Sequence, residues 1–126
     1  MLLASKSQSD VLRDLLSHRI LVLDGAMGTM VQALQLDEKA VRGERFASHT
    51  KDLARFTDIL CLTHSSEITE IHRKYFAAGA DIVETNTFGA SPVGMEEFDL
   101  PVELVRAINE AAGACARRDA TEINEK

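Results

Sequence analysis

The 126-residue sequence has only two cysteines and no cluster of basic residues. Cys61 and Cys115 form no CxxC or other close pair, which argues against a disulfide framework and against a self-contained zinc site. Fourteen basic residues stand against twenty acidic ones, and no basic run is longer than Arg117 and Arg118. The electrostatic pattern of a nucleic-acid-binding protein is therefore absent, and we expect no nucleic-acid partner.

Long apolar runs are also missing. The first residues, MLLASKS, are too short an apolar stretch for a signal peptide, and no later run approaches the length of a membrane span. The length fits one domain at most. We expect a soluble, cytoplasmic protein without a membrane partner, in a reducing compartment.

The common ligand-binding fingerprints are scarce. The turn DGAMGT, residues 24–29, matches neither GxGxxG nor GxxxxGK[ST], so neither nucleotide fingerprint is met. A phosphatase-like D-x-D pair fails because position 26 is alanine. The four histidines show no metal-ligand spacing, and the two cysteines are interpreted as small buried apolar side chains. These absences leave no catalytic residue and no metal ligand to assign on this chain.

What the sequence does contain is an alternation of short apolar runs with amphipathic stretches. This order predicts an α/β fold of consecutive right-handed βα units around a parallel sheet. The predicted strands are 20–23, 59–62 and 80–88, and the predicted helices are about 9–18, 29–36, 66–78 and one that starts at 99–101. The connection 37–58 shows no steady period and is long, which is typical of a functional or covering loop.

The amphipathic helices carry distinct apolar faces. The first predicted helix, capped by Ser9, should cover a sheet or barrel end with its apolar stripe, and Gly79 should end the helix over 66–78. The buried faces are predicted to be Val11, Leu12, Leu15 and Leu16 in the first helix, Ile68, Ile71 and Tyr75 in the third, and Val105, Ile108, Ala112 and Cys115 in the last. The residues RGER at 42–45 are interpreted as a solvated loop, with arginines that clamp a neighbouring segment as the alternative.

Polar residues follow two of the predicted strands. Asp24 comes directly after the first, and Glu84 and Asn86 share one face of the third. A buried carboxylate must be paired or bound to a ligand. Either Asp24 caps the next turn and Glu84 forms a buried ion pair, or both line a polar pocket, which we favour. The glycines Gly25 and Gly28 would allow positive φ and close approach of a ligand, and the turn amides could bind a carboxylate or phosphate.

Three stretches, LVLDGAMGTM, RGERF and GADIVETNTF, resemble in this order the amino-terminal part of the homocysteine S-methyltransferase family. RGERF resembles in particular its cobalamin-dependent branch, the methionine synthases. The resemblance implies a (β/α)8 TIM-type barrel, of which residues 1–126 would form the first three βα units. The chain would then be a partial, truncated homocysteine-binding domain.

The resemblance also implies a substrate site. Asp24 would pair with the ammonium group of homocysteine, and the amides near Gly25 and Ala26 would bind its carboxylate. Glu84 and Asn86 would shape the pocket wall.

The family transfers a methyl group to the sulfur of homocysteine to form methionine, with a zinc ion held by three cysteines that binds the thiolate. In the cobalamin-dependent branch methylcobalamin is the donor and is remethylated from methyltetrahydrofolate on other modules. Neither Cys61 nor Cys115 matches a zinc ligand of the family. The resemblance therefore implies an enzyme whose partners are the rest of the barrel and the folate and cobalamin modules, with this chain inactive alone. Betaine or S-methylmethionine as donor, and a non-catalytic remnant, remain as alternatives.

Overall fold

The computed structural model describes residues 6–124, with the side chains of 119 and 121–124 left out of the description. Helices dominate this part of the chain. They are α1 (Gln8–His18), α2 (Met27–Gln32), α3 (Glu38–Arg42), a 3-10 turn (Thr57–Ile59), α4 (Leu60–Thr63), α5 (Ser65–Ala77), α6 (Pro92–Glu96) and α7 (Leu104–Asn124).

The predicted α/β fold is wrong for this structure: residues 6–124 contain no strand and no sheet, and so no βα unit of a TIM-type barrel. The predicted strand 59–62 is helical, as part of the 3-10 turn and α4. A short, fully buried apolar run has no period that separates a strand from a helix, which explains the error. The other two predicted strands meet only in one isolated parallel bridge, between Leu23 and Ile82. Two paired segments with no third strand beside them gain little stability from further strand–strand hydrogen bonds.

The bridge is held by main-chain and side-chain hydrogen bonds. Asp24 N donates to Ile82 O at 2.9 Å, and Asp81 N donates to Val22 O at 2.8 Å. The Asp81 carboxylate accepts two hydrogen bonds from the Arg19 guanidinium, at 2.7 and 2.9 Å, and a third from Val22 N at 2.9 Å. These bonds fix where the segment before Asp24 lies against the segment before Glu84.

The core lies where α5 and α4 pack against α7. Ile68 and Ile71 of α5 are buried, as predicted, and Tyr75 is half-buried. The predicted face of α7 is confirmed in the same way, with Ile108, Ala112 and Cys115 buried and Val105 half-buried. α5 ends at Ala77, and Gly79 follows its C-cap residue with a φ of +107° that glycine adopts at little cost, so Gly79 marks the end of this helix as predicted.

The segment 37–58 is ordered by the charged side chains of Glu38 and Arg42. Glu38 accepts hydrogen bonds from the amides of Leu53 and Ala54, each at 2.6 Å. Arg42 pairs with Glu38 and donates to the carbonyls of His49 and Lys51. Arg42 thus clamps a neighbouring segment, the alternative that the sequence left open. The apolar side chains of this segment join the core: Val41, Phe46, Leu53 and Phe56.

Helix α1 departs from its predicted packing. Its amino-terminal cap is Ser7, whose side chain accepts from Asp10 N at 3.2 Å, in place of the predicted Ser9. No residue of α1 is buried. The predicted apolar stripe is present but open to solvent, with side chains 39–55% exposed: Val11, Leu12, Leu15 and Leu16. The sheet or barrel end that it was expected to cover does not form in the described residues.

Candidate functional site

A cavity of about 340 Å³ opens where the turn after the bridge meets residues 84–88. Four of the five residues predicted to bind substrate line it: Asp24, Gly25, Glu84 and Asn86. Ala26 is in the same turn but is not among the lining residues. The structure therefore brings together side chains that are about 60 positions apart in sequence, even though they lie on irregular backbone and not at the ends of strands.

Asp24 is half-buried and held in place by both its backbone and its side chain. Its Oδ1 accepts a hydrogen bond from Glu84 N at 3.1 Å. Within residues 6–124, Asp24 Oδ2 has no hydrogen-bond donor and the carboxylate forms no ion pair. Of the two interpretations drawn from the sequence, the capping of the following turn by Asp24 is not observed. The carboxylate faces the cavity with one oxygen available.

Glu84 also lines the cavity, and it is exposed. The predicted alternative, a buried ion pair made by Glu84, is wrong, because the side chain is in solvent and no ion pair within residues 6–124 involves it. Glu84 is therefore fixed through its backbone N–H, while its own carboxylate is free to reorient at the mouth of the cavity.

The glycine turn differs from the expected geometry. Neither Gly25 nor Gly28 adopts the positive φ that glycine allows. A Cβ on Gly25 would lie 3.6 Å from Tyr75 Oη, an ordinary contact distance. The same tyrosine hydroxyl donates to Ala26 O at 3.2 Å and so anchors the turn to α5. In the described part of the chain, the amides of Gly25 and Ala26 make no hydrogen bond, which leaves both donors for a ligand.

Asn86 forms the floor of the cavity and is 5% exposed. Its side-chain amide donates to Thr57 O at 3.0 Å. Its backbone carbonyl accepts from the Cys61 thiol, with 3.6 Å between sulfur and oxygen. Buried polar groups of this kind are costly unless they are paired, and these partners satisfy Asn86 while tying the cavity to α4.

The sequence missed several lining residues. Thr57 comes from the connection 37–58. Because this connection has no regular apolar spacing, nothing in the sequence indicated that one of its threonines would line the cavity. Thr85 and Thr87 share a hydroxyl hydrogen bond of 2.7 Å, and Phe88 is exposed beside them. An exposed phenylalanine directly after the polar run 84–87 was the one available signal of a ligand-facing edge.

Cys61 lies in α4, not in a strand, and it lines a cavity of about 470 Å³ together with Cys115 of α7. The Cys61 thiol donates to Asn86 O and the Cys115 thiol donates to Ser65 O, each with 3.6 Å between sulfur and oxygen. No group of three histidine, cysteine, aspartate or glutamate side chains in the described residues could hold a metal ion. A zinc site of three thiolates therefore does not fit this part of the chain.

In the described residues no helix combines the length and the apolar character needed to cross a membrane.

The sequence model of one protein family, described as homocysteine S-methyltransferase, matches residues 21–126. This range includes every residue that lines the cavity. The family methylates homocysteine and is associated with zinc-dependent methyl transfer. The match covers well over half of the 126 residues, and the chain belongs to the homocysteine S-methyltransferase family.

Proposed function

We propose that the cavity between the turn at 24–28 and residues 84–88 binds homocysteine. The observation that carries the proposal is the position of Asp24, a half-buried carboxylate on the cavity wall with one oxygen held by Glu84 N and no cation beside it in the described residues. A carboxylate in that setting gains most from a cationic ligand group. The ammonium group of homocysteine supplies one.

The carboxylate group of homocysteine would bind to the unused amides of Gly25 and Ala26. Backbone N–H groups in a turn bind anions well because they carry fixed partial positive charge. Asn86, rigid and buried, would form the surface against which the side chain of the amino acid packs. In this arrangement the chain binds and orients the amino-acid end of the substrate.

Reaction at the sulfur requires a group that residues 6–124 do not hold. A thiol with an ordinary pKa near 8.5 is mostly protonated at neutral pH and is a weak nucleophile in that form. The zinc of the family supplies thiolate activation when it is bound. The described residues do not fit a zinc site, so we propose that residues 1–126 are part of a homocysteine S-methyltransferase domain and are inactive alone.

Exposed apolar side chains support a partial domain. Ile20 is 87% exposed, and Val22, Leu23 and Ile82 around the bridge are also exposed. Exposed apolar surfaces of this kind are typically covered by another part of the same protein or by a partner. We propose that the remainder of the domain packs there.

Methylcobalamin is the methyl donor that we propose, and this makes the parent enzyme a methionine synthase. The support is the resemblance of RGERF, residues 42–46, to the cobalamin-dependent branch. In the structure Arg42 clamps its neighbours and Phe46 is buried, so these side chains stabilise the fold away from the cavity. Supplying methylcobalamin, betaine or S-methylmethionine to the full-length enzyme tests the donor. Methionine should form from methylcobalamin alone, and formation from either other donor would contradict this assignment.

The substrate proposal is tested by Asp24→Asn, which keeps the acceptor for Glu84 N and removes the charge. A charge-assisted hydrogen bond contributes about 1.5–3 kcal/mol, so affinity for homocysteine should fall by roughly ten- to hundredfold. Affinity for 4-mercaptobutyrate, which lacks the ammonium group, should not change. Calorimetric titration of the wild-type chain and the variant with both compounds measures the difference.

Asp52→Asn provides the matched control, since Asp52 is 92% exposed and lies outside the cavity. It should leave both affinities unchanged. If Asp24→Asn weakens homocysteine and 4-mercaptobutyrate equally, or neither of them, Asp24 does not bind the ammonium group and the assigned role is wrong.

A further inference from the structure

The cavity beside Asp24 is lined by apolar as well as polar side chains. Of the ten described residues that line it, Met27 and Phe88 are the ones with large apolar side chains. Met27 is half-buried and packs against the hydrophobic core, whereas Phe88 is 104% exposed. Ligand pockets commonly combine a few polar groups that orient the ligand with apolar side chains that cover the rest of it.

The backbone that follows Phe88 is fixed against the core. Gly89 N donates to the buried carboxylate of Asp58 at 2.7 Å, and Ala90 is buried. The space beside Gly89 is already filled, since a Cβ placed there would lie 3.0 Å from a ring carbon of the buried Phe56. The loop therefore has no room to move inward, and the Phe88 ring stays in solvent while the cavity is empty.

An aromatic ring that is held in solvent contributes to affinity when a ligand covers it. Removal of apolar surface from water is favourable in proportion to its area, and sulfur makes favourable contacts with aromatic rings. In the proposed function the ammonium and carboxylate groups of homocysteine bind to Asp24 and to the turn amides. The two methylene groups and the thiol of homocysteine are left for the apolar part of the lining.

We propose that Met27 and Phe88 form the side-chain subsite of this cavity and determine its specificity, by selecting a short, unbranched thiol or thioether over a polar side chain of the same length. This rests on the proposed function, in which Asp24 binds the amino-acid end of the ligand. The flexible thioether of Met27 adapts to a ligand of irregular shape, and the ring of Phe88 covers the sulfur. Neither side chain replaces the hydrogen bonds with water that a ligand hydroxyl loses on binding.

The test compares homocysteine with homoserine, which carries a hydroxyl in place of the thiol and is otherwise the same amino acid. Calorimetric titration of the wild-type chain should show homocysteine bound about tenfold or more tighter, because an apolar subsite rejects a hydroxyl by roughly this factor. Phe88→Ala should weaken homocysteine by about tenfold and homoserine by less, so the ratio of the two affinities falls. Phe88→Leu keeps an apolar cover and should retain most of the preference.

The exposure of Phe88 makes this variant a clean probe. Its side chain is fully exposed in the free chain, so Phe88→Ala should leave the urea unfolding midpoint unchanged. A purely structural role of Phe88 would move the midpoint and leave the affinity ratio as it is. Met27→Gln keeps the length of the side chain and replaces the thioether with an amide, and it should also lower the preference for homocysteine.

Two further variants separate this subsite from the amino-acid end of the cavity. Asp24→Asn should weaken homocysteine and homoserine by the same factor, since both carry the ammonium group, and so should leave their ratio intact. Val93→Ala is the control, because Val93 is 81% exposed and lies outside the cavity, and it should change neither affinity.

The subsite is wrong if the wild-type chain binds the two amino acids equally well, or if Phe88→Ala weakens both by the same factor or neither. In each of these results homocysteine still binds, and its proposed contact with Asp24 stands. A wild-type chain that binds neither amino acid would overturn the proposed function and the subsite together.

Discussion

Gly94, in the middle of α6, lies so close to the backbone of Gly89 that a side chain does not fit between them. A Cβ placed on Gly94 would lie 2.4 Å from Gly89 O, a distance at which atoms overlap. The obstacle is a carbonyl of the main chain, which cannot rotate away as a side chain can. The same Gly89 donates its N–H to the buried Asp58 at 2.7 Å, so the backbone that would have to move is itself fixed.

Gly94→Ala should therefore destabilise the protein by about 1–3 kcal/mol, the usual cost of overpacking. Helix propensity alone would favour alanine by roughly 1 kcal/mol. The prediction therefore requires that the steric overlap with Gly89 O costs more than this gain. Gly113→Ala in α7 is the control, because a Cβ there meets nothing within 4 Å, and it should be neutral or stabilising. Urea unfolding midpoints decide the matter, and equal midpoints for the two variants would refute the steric argument.

At the level of elements, the sequence predicted the long helices well and the strands poorly. α5 and the buried face of α7 follow from apolar spacing over three or more turns, which fixes one face unambiguously. The run 59–62 has no such period, and its helical state is decided by packing against α7. The segments 20–24 and 80–84, expected as the first and third strands of the sheet, pair with each other through one bridge.

The site was partly predictable for a related reason. Asp24, Glu84 and Asn86 stand out because polar residues directly after apolar runs need an explanation. The position of Thr57 on the cavity wall carries no local signal, since it depends on how segments far apart in sequence pack. The sequence did not decide whether Arg42 is solvated or clamps a neighbouring segment. Its acceptors are backbone carbonyls, which any residue provides, so they leave no mark in the sequence.

The bridge between 20–24 and 80–84 depends on Asp81, which suggests a pH test. Hydrogen bonds from Arg19 and Val22 N lower the pKa of Asp81 from 3.8 to about 2. Because the folded pKa is below the unfolded one, the stabilisation is present above about pH 3.8 and is lost as pH falls to about 2. Asp81→Asn should be less stable than wild type at neutral pH, and this difference should shrink over that window.

Urea midpoints measured from neutral pH to about pH 2 give this difference directly. Asp14→Asn serves as control, since Asp14 is 57% exposed and lies 3.8 Å from Lys6 in a loose ion pair. It should track the wild-type protein at every pH. A stability difference for Asp81→Asn that stays constant down to the lowest pH would show that Asp81 does not hold the bridge through its charge.

At the scale of the whole molecule, the described residues form the cavity that we propose binds an amino acid, but they contain no metal-binding group that would activate a thiol. The cavity beside Asp24 is formed by residues from segments that are distant in sequence. A zinc ion that activates a thiol needs about three protein ligands and one open position. The described residues contain no group of three histidine, cysteine, aspartate or glutamate side chains that could hold a metal ion.

Residues 1–126 alone should therefore bind no stoichiometric zinc and form no methionine from homocysteine and methylcobalamin. A longer form that carries the three zinc cysteines of the family should gain both properties together, since metal and substrate thiol share one centre. Elemental analysis and detection of methionine by mass spectrometry check the two points. One tightly bound zinc per chain of 126 residues, or methionine from that chain, would contradict the account.

The most direct test of the central claim is an amide NMR titration of the chain with homocysteine, since it reports where the ligand binds. The account predicts shifts for Gly25, Ala26, Glu84 and Asn86, with saturation at one common affinity. Gly113, in the middle of α7, should not respond. Shifts confined to α7, or none at all at saturating homocysteine, would contradict the assignment of this cavity as the homocysteine site.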